Sequence, residues 1–282
     1  GMGSKITILG PGLLGASLGK AVRERGLFET IHSWSRQLQS RKKCQQQPWC
    51  DSVLETAAEA IDQADLVILC LPVQVIPSLL QELSGVFSPG TIISDVGSTK
   101  TNICRTAAEC LPEAVQFVGS HPMAGSQKSG MENAKADLFE GQPCILTPTE
   151  GTSPRALEVI REFWQNLGMR VSEIPPEDHD RIVAAISHLP HILASCLCEN
   201  LGGKNPEWKE FAGKGLRDST RVAAGDPEMW RQIVEENTGS ILEMVESFQM
   251  TLQQFVQAMQ NKDFLQVEKL LAQGKSFRES LE

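Results

Sequence analysis

The stretch KITILGPGLLG, residues 5–15, restricts the possible folds more than any other feature of the chain. An apolar run of strand length leads into three glycines spaced GxGxxG, and a helical pattern follows at once. In a βαβ unit each glycine has its own task. Gly10 permits the tight turn after the strand, Gly12 lets the backbone approach a pyrophosphate, and Gly15 lets the helix pack closely on the sheet. The helix start at Leu13 and Leu14 offers unpaired N–H groups and partial positive charge to phosphates. Together these features predict a dinucleotide-binding α/β domain.

The rhythm that follows supports it. Short apolar runs alternate with amphipathic stretches over residues 1–172, the pattern of a parallel-rich sheet. Strands are expected at 5–9, 30–34, 66–71, 91–94, 115–118, 144–147 and 169–173. Helices are expected at 13–25, 75–86, 100–110 and 154–167. Leu71, Pro72 and Val73 at the end of one strand, and Gly97 after another, are taken as further cofactor contacts. The second strand bears on which dinucleotide binds. An NAD site places a carboxylate about 20 residues past the glycines, to accept from the ribose 2′-OH. Here that strand ends in Ser35-Arg36, a hydroxyl and a guanidinium suited to a 2′-phosphate, with Arg41, Lys42 and Lys43 close behind. NADP is the expected cofactor, with NAD possible.

Beyond PPED at 175–178 the pattern turns helical, so residues 173–282 are expected to form an all-α domain. Asp226-Pro227 has the form of an N-cap followed by proline at the first helical position. Val234, Ile241, Val245, Phe248, Leu252, Phe255 and Met259 then make a heptad seam, expected to be a bundle spine and a homodimer interface. A net charge of −9 leaves no Lys/Arg excess for phosphate backbones, which excludes a nucleic-acid surface. The 8 cysteines form no CxxC pair and sit largely in apolar runs, as buried thiols of a reducing compartment do. No stretch reads as the ~18 apolar residues that span a membrane, and no signal peptide precedes the first strand. A cytoplasmic protein is expected.

Three segments complete the pattern: DVGSTK at 95–100, SHPMAGSQKSG at 120–130 and SHLPH at 187–191, followed by GLRDSTRVA at 215–223. In this order, and with the glycine loop, they resemble the prephenate/arogenate dehydrogenase family over essentially the whole chain. The resemblance implies a Rossmann-type N-terminal domain, a helical dimerising C-terminal domain and a cleft between them, in a short form without ACT or chorismate mutase domains. It implies oxidative decarboxylation of prephenate to 4-hydroxyphenylpyruvate on the way to tyrosine, or of arogenate to tyrosine.

That chemistry needs a base, a hydride acceptor and cations for two carboxylates. His121 is the candidate base, because a neutral imidazole suits proton abstraction near pH 7; a histidine before proline could also simply satisfy backbone groups at a strand end. Ser98 would bind the same hydroxyl or orient the imidazole, or else cap the helix that follows. Arg221 would clamp a substrate carboxylate, with Asp218 as its gating partner by resemblance or a plain surface pair three residues back. Pro190 cannot donate to the carbonyl of Ile186 and is expected to kink its helix, tipping Ser187, His188 and His191 toward the cleft. By resemblance Ser187 and His191 contact the substrate side chain, while His188 is read as structural. A metal held by His179, His188 and His191 fits no usual ligand spacing. Some relatives carry a carboxylate where this chain has Gln127, and an amide there favours the keto acid prephenate over the amine arogenate. Two readings compete: a β-hydroxyacid dehydrogenase or imine reductase, which share the two-domain plan, and a nonenzymatic dinucleotide sensor.

Overall fold

The computed structural model describes residues 1–282 except Gln127, so the expectation placed on that amide lies outside the described residues. The chain divides into two compact units, Gly1–Asn237 and Thr238–Glu282.

The first unit is built on an eight-stranded sheet in the order β3-β2-β1-β4-β5-β6-β7-β8. Its strands are β1 (Gly3–Leu9), β2 (Phe28–Trp34), β3 (Ser52–Val53), β4 (Leu66–Leu69), β5 (Ile92–Asp95), β6 (Gln116–Pro122), β7 (Pro143–Thr147) and β8 (Arg170–Glu173). All pairings are parallel except β6 with β7. The chain runs outward from β1 to β3, then crosses back to continue from β4 on the other side of β1. Strand order therefore reverses between β1 and β4, and α/β sheets bind ligands outside the carboxyl ends of strands at such a point. The carboxyl ends of β1, β4, β5 and β6 lie side by side there.

Helices α1 (Leu13–Arg25), α2 (Leu38–Gln45), α3 (Ala57–Ile61), α4 (Val75–Leu83), α5 (Thr101–Cys110) and α6 (Pro154–Asn166) connect and cover these strands. The buried side chains form two clusters. One gathers Ile6, Ile8, Leu18, Trp49, Phe163 and Trp164, and the other gathers Leu9, Val67, Leu69, Ile76, Leu80 and Ile103. Alternate residues of β1 and β4 thus enter opposite clusters, as a sheet covered on both faces requires.

Two strands differ from expectation in ways that matter. β4 stops at Leu69, so Leu71, Pro72 and Val73 form the turn into α4 rather than a strand end. β6 runs on to Pro122, because β7 pairs antiparallel with its far end, Gly119 opposite Thr147 and His121 opposite Ile145. His121 consequently sits in a hydrogen-bonded ladder and not in a loop.

The helical part begins with α7 (Pro176–Val183), a π-helical turn at Ala184–His188 and α8 (Leu189–Gly202). The distortion expected at Pro190 is this wide turn just before it; π turns accommodate a broken i→i−4 ladder and concentrate at functional sites. By length and composition the continuous stretch Pro176–Gly202 could cross a membrane, which corrects the expectation that no segment could. Its buried His179, Asp180 and His188 are committed to polar partners within the first unit.

Then come α9 (Lys214–Thr220), a 3-10 turn at Arg221–Ala224 and α10 (Pro227–Glu236), whose N-cap is Asp226 as expected. The second unit is a pair of helices, α11 (Thr238–Gln260) and α12 (Phe264–Glu279). The heptad seam is not one continuous helix, since Val234 belongs to α10 and Asn237, at φ −133°, ends that helix. Within α11, Phe248, Leu252 and Met259 are exposed, and on α12 so are Phe264, Leu265, Leu271 and Phe277.

The glycine loop can be tested directly against steric space. Gly10 has φ +99°, and a Cβ there would stand 2.3 Å from the Cys70 carbonyl oxygen. A Cβ on Gly15 would stand 2.0 Å from the Gly10 oxygen, whereas one on Gly12 would meet no atom within 4 Å. Two glycines are therefore required by the protein's own packing, and the third is open to an approaching ligand. Gly15→Ala should lower the melting temperature by about 5 °C, from an overpacking cost of roughly 1–3 kcal/mol. Gly12→Ala should leave melting unchanged and weaken dinucleotide binding at least tenfold. Calorimetry and fluorescence titration of both variants would show the contrast, and equal melting losses would contradict it.

Candidate active site

The dinucleotide end of the site starts at the first turn of α1. Its N-cap, Gly12, contributes no side-chain bond, which leaves the first amides of the helix available to phosphate oxygens. At the end of β2, Ser35 is half-buried and Arg36 is exposed, its guanidinium 5.9 Å from the centre of the Trp34 ring. Arg41 Nη1 donates to the carbonyls of Ser35 (2.8 Å) and Arg36 (3.0 Å). Arg41 therefore braces the strand end through the backbone, while the exposed Arg36 makes no ion pair among the described residues. The first amides of α1, Ser35 and Arg36 are the groups that would hold a dinucleotide here.

The DVGSTK segment is held by its own first and last residues. Asp95, fully buried at the end of β5, accepts from the Gly97 amide (2.9 Å) and the Ser120 amide (3.2 Å) and pairs with the Lys100 ammonium, also fully buried. A methyl group on Gly97 would stand 2.9 Å from the Asp95 carboxylate, so a packing reason accompanies its expected cofactor role. Behind this loop, Ser94 and Ser120 hydroxyls lie 2.6 Å apart, and Trp164 Nε1 donates to Ser120 (3.0 Å). The ends of β5 and β6 are thus joined by satisfied buried polar groups, which favours one arrangement over alternatives.

Ser98, half-buried in this loop, does not cap α5. The cap comes from far away in sequence. Asp180 on α7 accepts from the Lys100 amide at Oδ1 (2.8 Å) and the Thr101 amide at Oδ2 (3.0 Å). Burial alone would raise its carboxyl, but bonds from His179, Thr101 and Lys100 outweigh that and hold it below the usual value. Asp180 is an anion on a helix N-terminus.

His121 is buried, and its Nδ1 lies 2.8 Å from His179 Nε2. His179 Nδ1 in turn lies 2.8 Å from Asp180 Oδ1. Burial, then the neighbouring His179, Lys100 and His188, hold the His121 imidazole well below its usual range, so it is neutral at pH 7. In the sequence His179 stands out only as a possible metal ligand, and Asp180 does not stand out. The one available signal was the His-Asp dipeptide at the start of a helix. Among the described residues no three His, Cys, Asp or Glu side chains are grouped to hold a metal.

On the helical side, the π turn leaves Ser187 half-buried and buries His188, whose Nδ1 lies 3.1 Å from Asn237 Nδ2. Asn237 Nδ2 also donates to the Asp180 carbonyl (2.8 Å). His191 stacks on Trp230 with centroids 3.7 Å apart and planes at 12°, a contact that sequence reasoning missed. Arg221 is exposed on the 3-10 turn that packs against α8, the helix of His191. Asp218 pairs with Lys214 at 2.8 Å, one helical turn away, and not with Arg221. The surface pair expected between Asp218 and Arg221 is therefore corrected: four-residue spacing on α9 favours Lys214, and Arg221 lies beyond the end of that helix.

Comparison with known proteins shows the family and the fold. Residues 18–173 match the family model for the prephenate dehydrogenase nucleotide-binding domain, and residues 175–273 match that for its dimerization domain. A cyclohexadienyl dehydrogenase from Zymomonas mobilis is 32% identical, over 92% of this chain and 89% of its own. A prephenate dehydrogenase from Bacillus subtilis is 32% identical, over 99% of this chain and 76% of its own. The crystal structure of Aquifex aeolicus prephenate dehydrogenase with hydroxyphenyl propionate and NAD+ superposes with a TM-score of 0.93 at 30% identity, covering 99% and 98% of the two chains. Synechocystis arogenate dehydrogenase superposes with a TM-score of 0.83 at 31% identity, covering 99% and 100%.

Four of the five histidines lie in this region, and burial is the leading cause that lowers each of them: His121, His179, His188 (to about 4) and His191. In the unfolded chain each would titrate near 6.5, so the unfolded state takes up protons that the folded state refuses. This contribution to stability is complete above pH 7.5 and is lost as the pH falls below 6.5. Its slope cannot exceed about 1.4 kcal/mol per pH unit for each histidine. Urea unfolding at pH 7.5, 6 and 5 should show a steep decline, and a flat profile would contradict the neutral cluster.

Proposed function

The chain belongs to the prephenate dehydrogenase family, and on that premise we propose that it oxidises prephenate with NADP, releasing CO2 and 4-hydroxyphenylpyruvate. The observation that carries this reading is a buried, neutral His121 at the carboxyl end of β6, on the same sheet edge as the glycine loop of β1.

Prephenate carries a ring hydroxyl, a ring carboxylate and a keto-acid side chain. A bound nicotinamide would supply the acceptor for hydride from the carbinol carbon. His121 takes the hydroxyl proton at Nε2, the nitrogen not facing His179; a positioned base of this kind contributes about 10²–10⁴-fold. Ser98, in the loop that follows the neighbouring strand β5, holds the same oxygen. Loss of CO2 makes the ring aromatic, so that bond breaks downhill once oxidation begins. Arg221 binds a carboxylate of the substrate, for which its guanidinium is unpaired among the described residues and planar enough to bind in a bidentate manner. His191, flat against Trp230, and Ser187 contact the side chain. The absence of a carboxylate at Ser35-Arg36, with Arg36 exposed and in no ion pair among the described residues, supports NADP over NAD.

Arogenate is the second reading, because relatives named for arogenate and for cyclohexadienyl substrates match at similar identity. In this reading the protein works as a homodimer in the cytoplasm. The exposed apolar residues of α11 and α12 and the match to a dimerization domain support the dimer, and the free cysteines support a reducing compartment.

The test pairs prephenate and arogenate with NAD and NADP and follows absorbance of the reduced cofactor. NADP reduction with prephenate is expected to be fastest. His121→Asn should lose at least 100-fold in kcat with NADP affinity retained, and wild-type turnover in that variant would contradict the assignment of the base. Ser35→Asp should shift preference toward NAD.

A further inference from the structure

Hydrogen-bond donors and acceptors along the line from α5 to His121 can be assigned one after another. The consequence of this assignment for turnover rests on the reading of His121 as the base. The line begins at Asp180, an ionised carboxylate and so acceptor-only, which meets two backbone donors at the start of α5, the Lys100 and Thr101 amides. A backbone amide cannot reverse its polarity, so the direction of this end is fixed.

The remaining contact of Asp180 Oδ1 is His179 Nδ1, at 2.8 Å. An acceptor-only oxygen requires the proton to sit on that nitrogen. His179, neutral at pH 7, then presents a bare lone pair at Nε2. His121 Nδ1 stands 2.8 Å from that lone pair and must be the donor. A neutral His121 with its proton on Nδ1 carries its lone pair on Nε2. The other titratable groups near this line, Lys100, Asp95 and His188, do not interrupt it: Lys100 is paired with Asp95, and His188 Nδ1 faces Asn237.

We infer that Asp180 and His179 are positioning residues that lock His121 in its Nδ1–H tautomer, the one neutral form able to accept a substrate proton at Nε2. When that proton arrives, no bond in the line needs to reverse. The imidazolium goes on donating from Nδ1 to His179, which goes on donating to the anion, and the new charge is met by dipoles already aligned toward it. The same carboxylate that caps α5 therefore sets the protonation pattern of a ring two residues removed along the line. Neither partner touches the substrate.

Nitrogen-15 NMR of histidine-labelled protein reads the tautomer without reference to turnover. The wild-type spectrum should show His121 protonated at Nδ1 and bare at Nε2. In Asp180→Asn the amide can offer a donor to His179, the line loses its direction, and His121 should shift toward the Nε2–H form. Turnover should then fall at least 100-fold in kcat, with KM and NADP affinity held within about threefold.

A paired substitution guards against a trivial folding defect. Glutamine at 179 can accept from His121 and donate to Asp180, so His179→Gln should retain most of the activity and the Nδ1–H signature. His179→Leu, which can do neither, should lose both. A wild-type spectrum with His121 protonated at Nε2, an Asp180→Asn enzyme with wild-type tautomer and kcat, or equal losses in the Gln and Leu variants would each overturn the inference. If His121→Asn alone keeps full turnover while the tautomer is as expected, the base assignment fails and the lock stands.

Discussion

An anion at the amino end of α5 is the contact on which the site depends. The helix presents the Lys100 and Thr101 amides, and Asp180 meets both from α7 across 80 and 79 residues of chain. A favourable interaction between a carboxylate and a helix N-terminus is ordinary. Here it does three things together. It docks the helical part of the first unit against the sheet, keeps Asp180 charged in a buried place, and gives the His179–His121 pair a fixed direction. The neighbouring Asp95–Lys100 pair anchors the other side of the same turn and ties it to β6 through the Ser120 amide.

An acidic chain that handles an anionic substrate must place its cations with care. Lys100 is buried and neutralised by Asp95, so it shapes the site and is not exposed to attract ligand. The buried histidines are kept neutral by desolvation. Arg221 and Arg36 are exposed, so water still solvates their guanidinium groups and pairing them with an anion would cost little desolvation.

Features that depend on local chain geometry were legible in the sequence. The glycine loop, α1 at Leu13–Arg25 and the Asp226 cap with its proline came from spacing alone, because a strand, a turn and a helix start are decided by a few adjacent residues. His121 and Ser98 stand out as candidates through their motifs. What could not be read was pairing over long separations. The His121–His179 contact spans 58 residues, and nothing near either residue shows it. Ser98 looked like a cap because serine before a helix usually is one, yet Asp180 takes that place. The heptad seam looked continuous because periodicity ignores Asn237, whose side chain bonds the Asp180 carbonyl and His188 at the break in the helix. Trp230 entered no pattern, since stacking on His191 depends on how α10 and α8 pack.

A crystal structure of the protein with NADP and 4-hydroxyphenylpyruvate would test the central claim most directly. The account predicts the product's phenolic oxygen within about 3 Å of His121 Nε2, with the nicotinamide ring against the opposite face of the aromatic carbon. A phenolic oxygen held by other groups, with His121 Nε2 packed against apolar side chains, would contradict it.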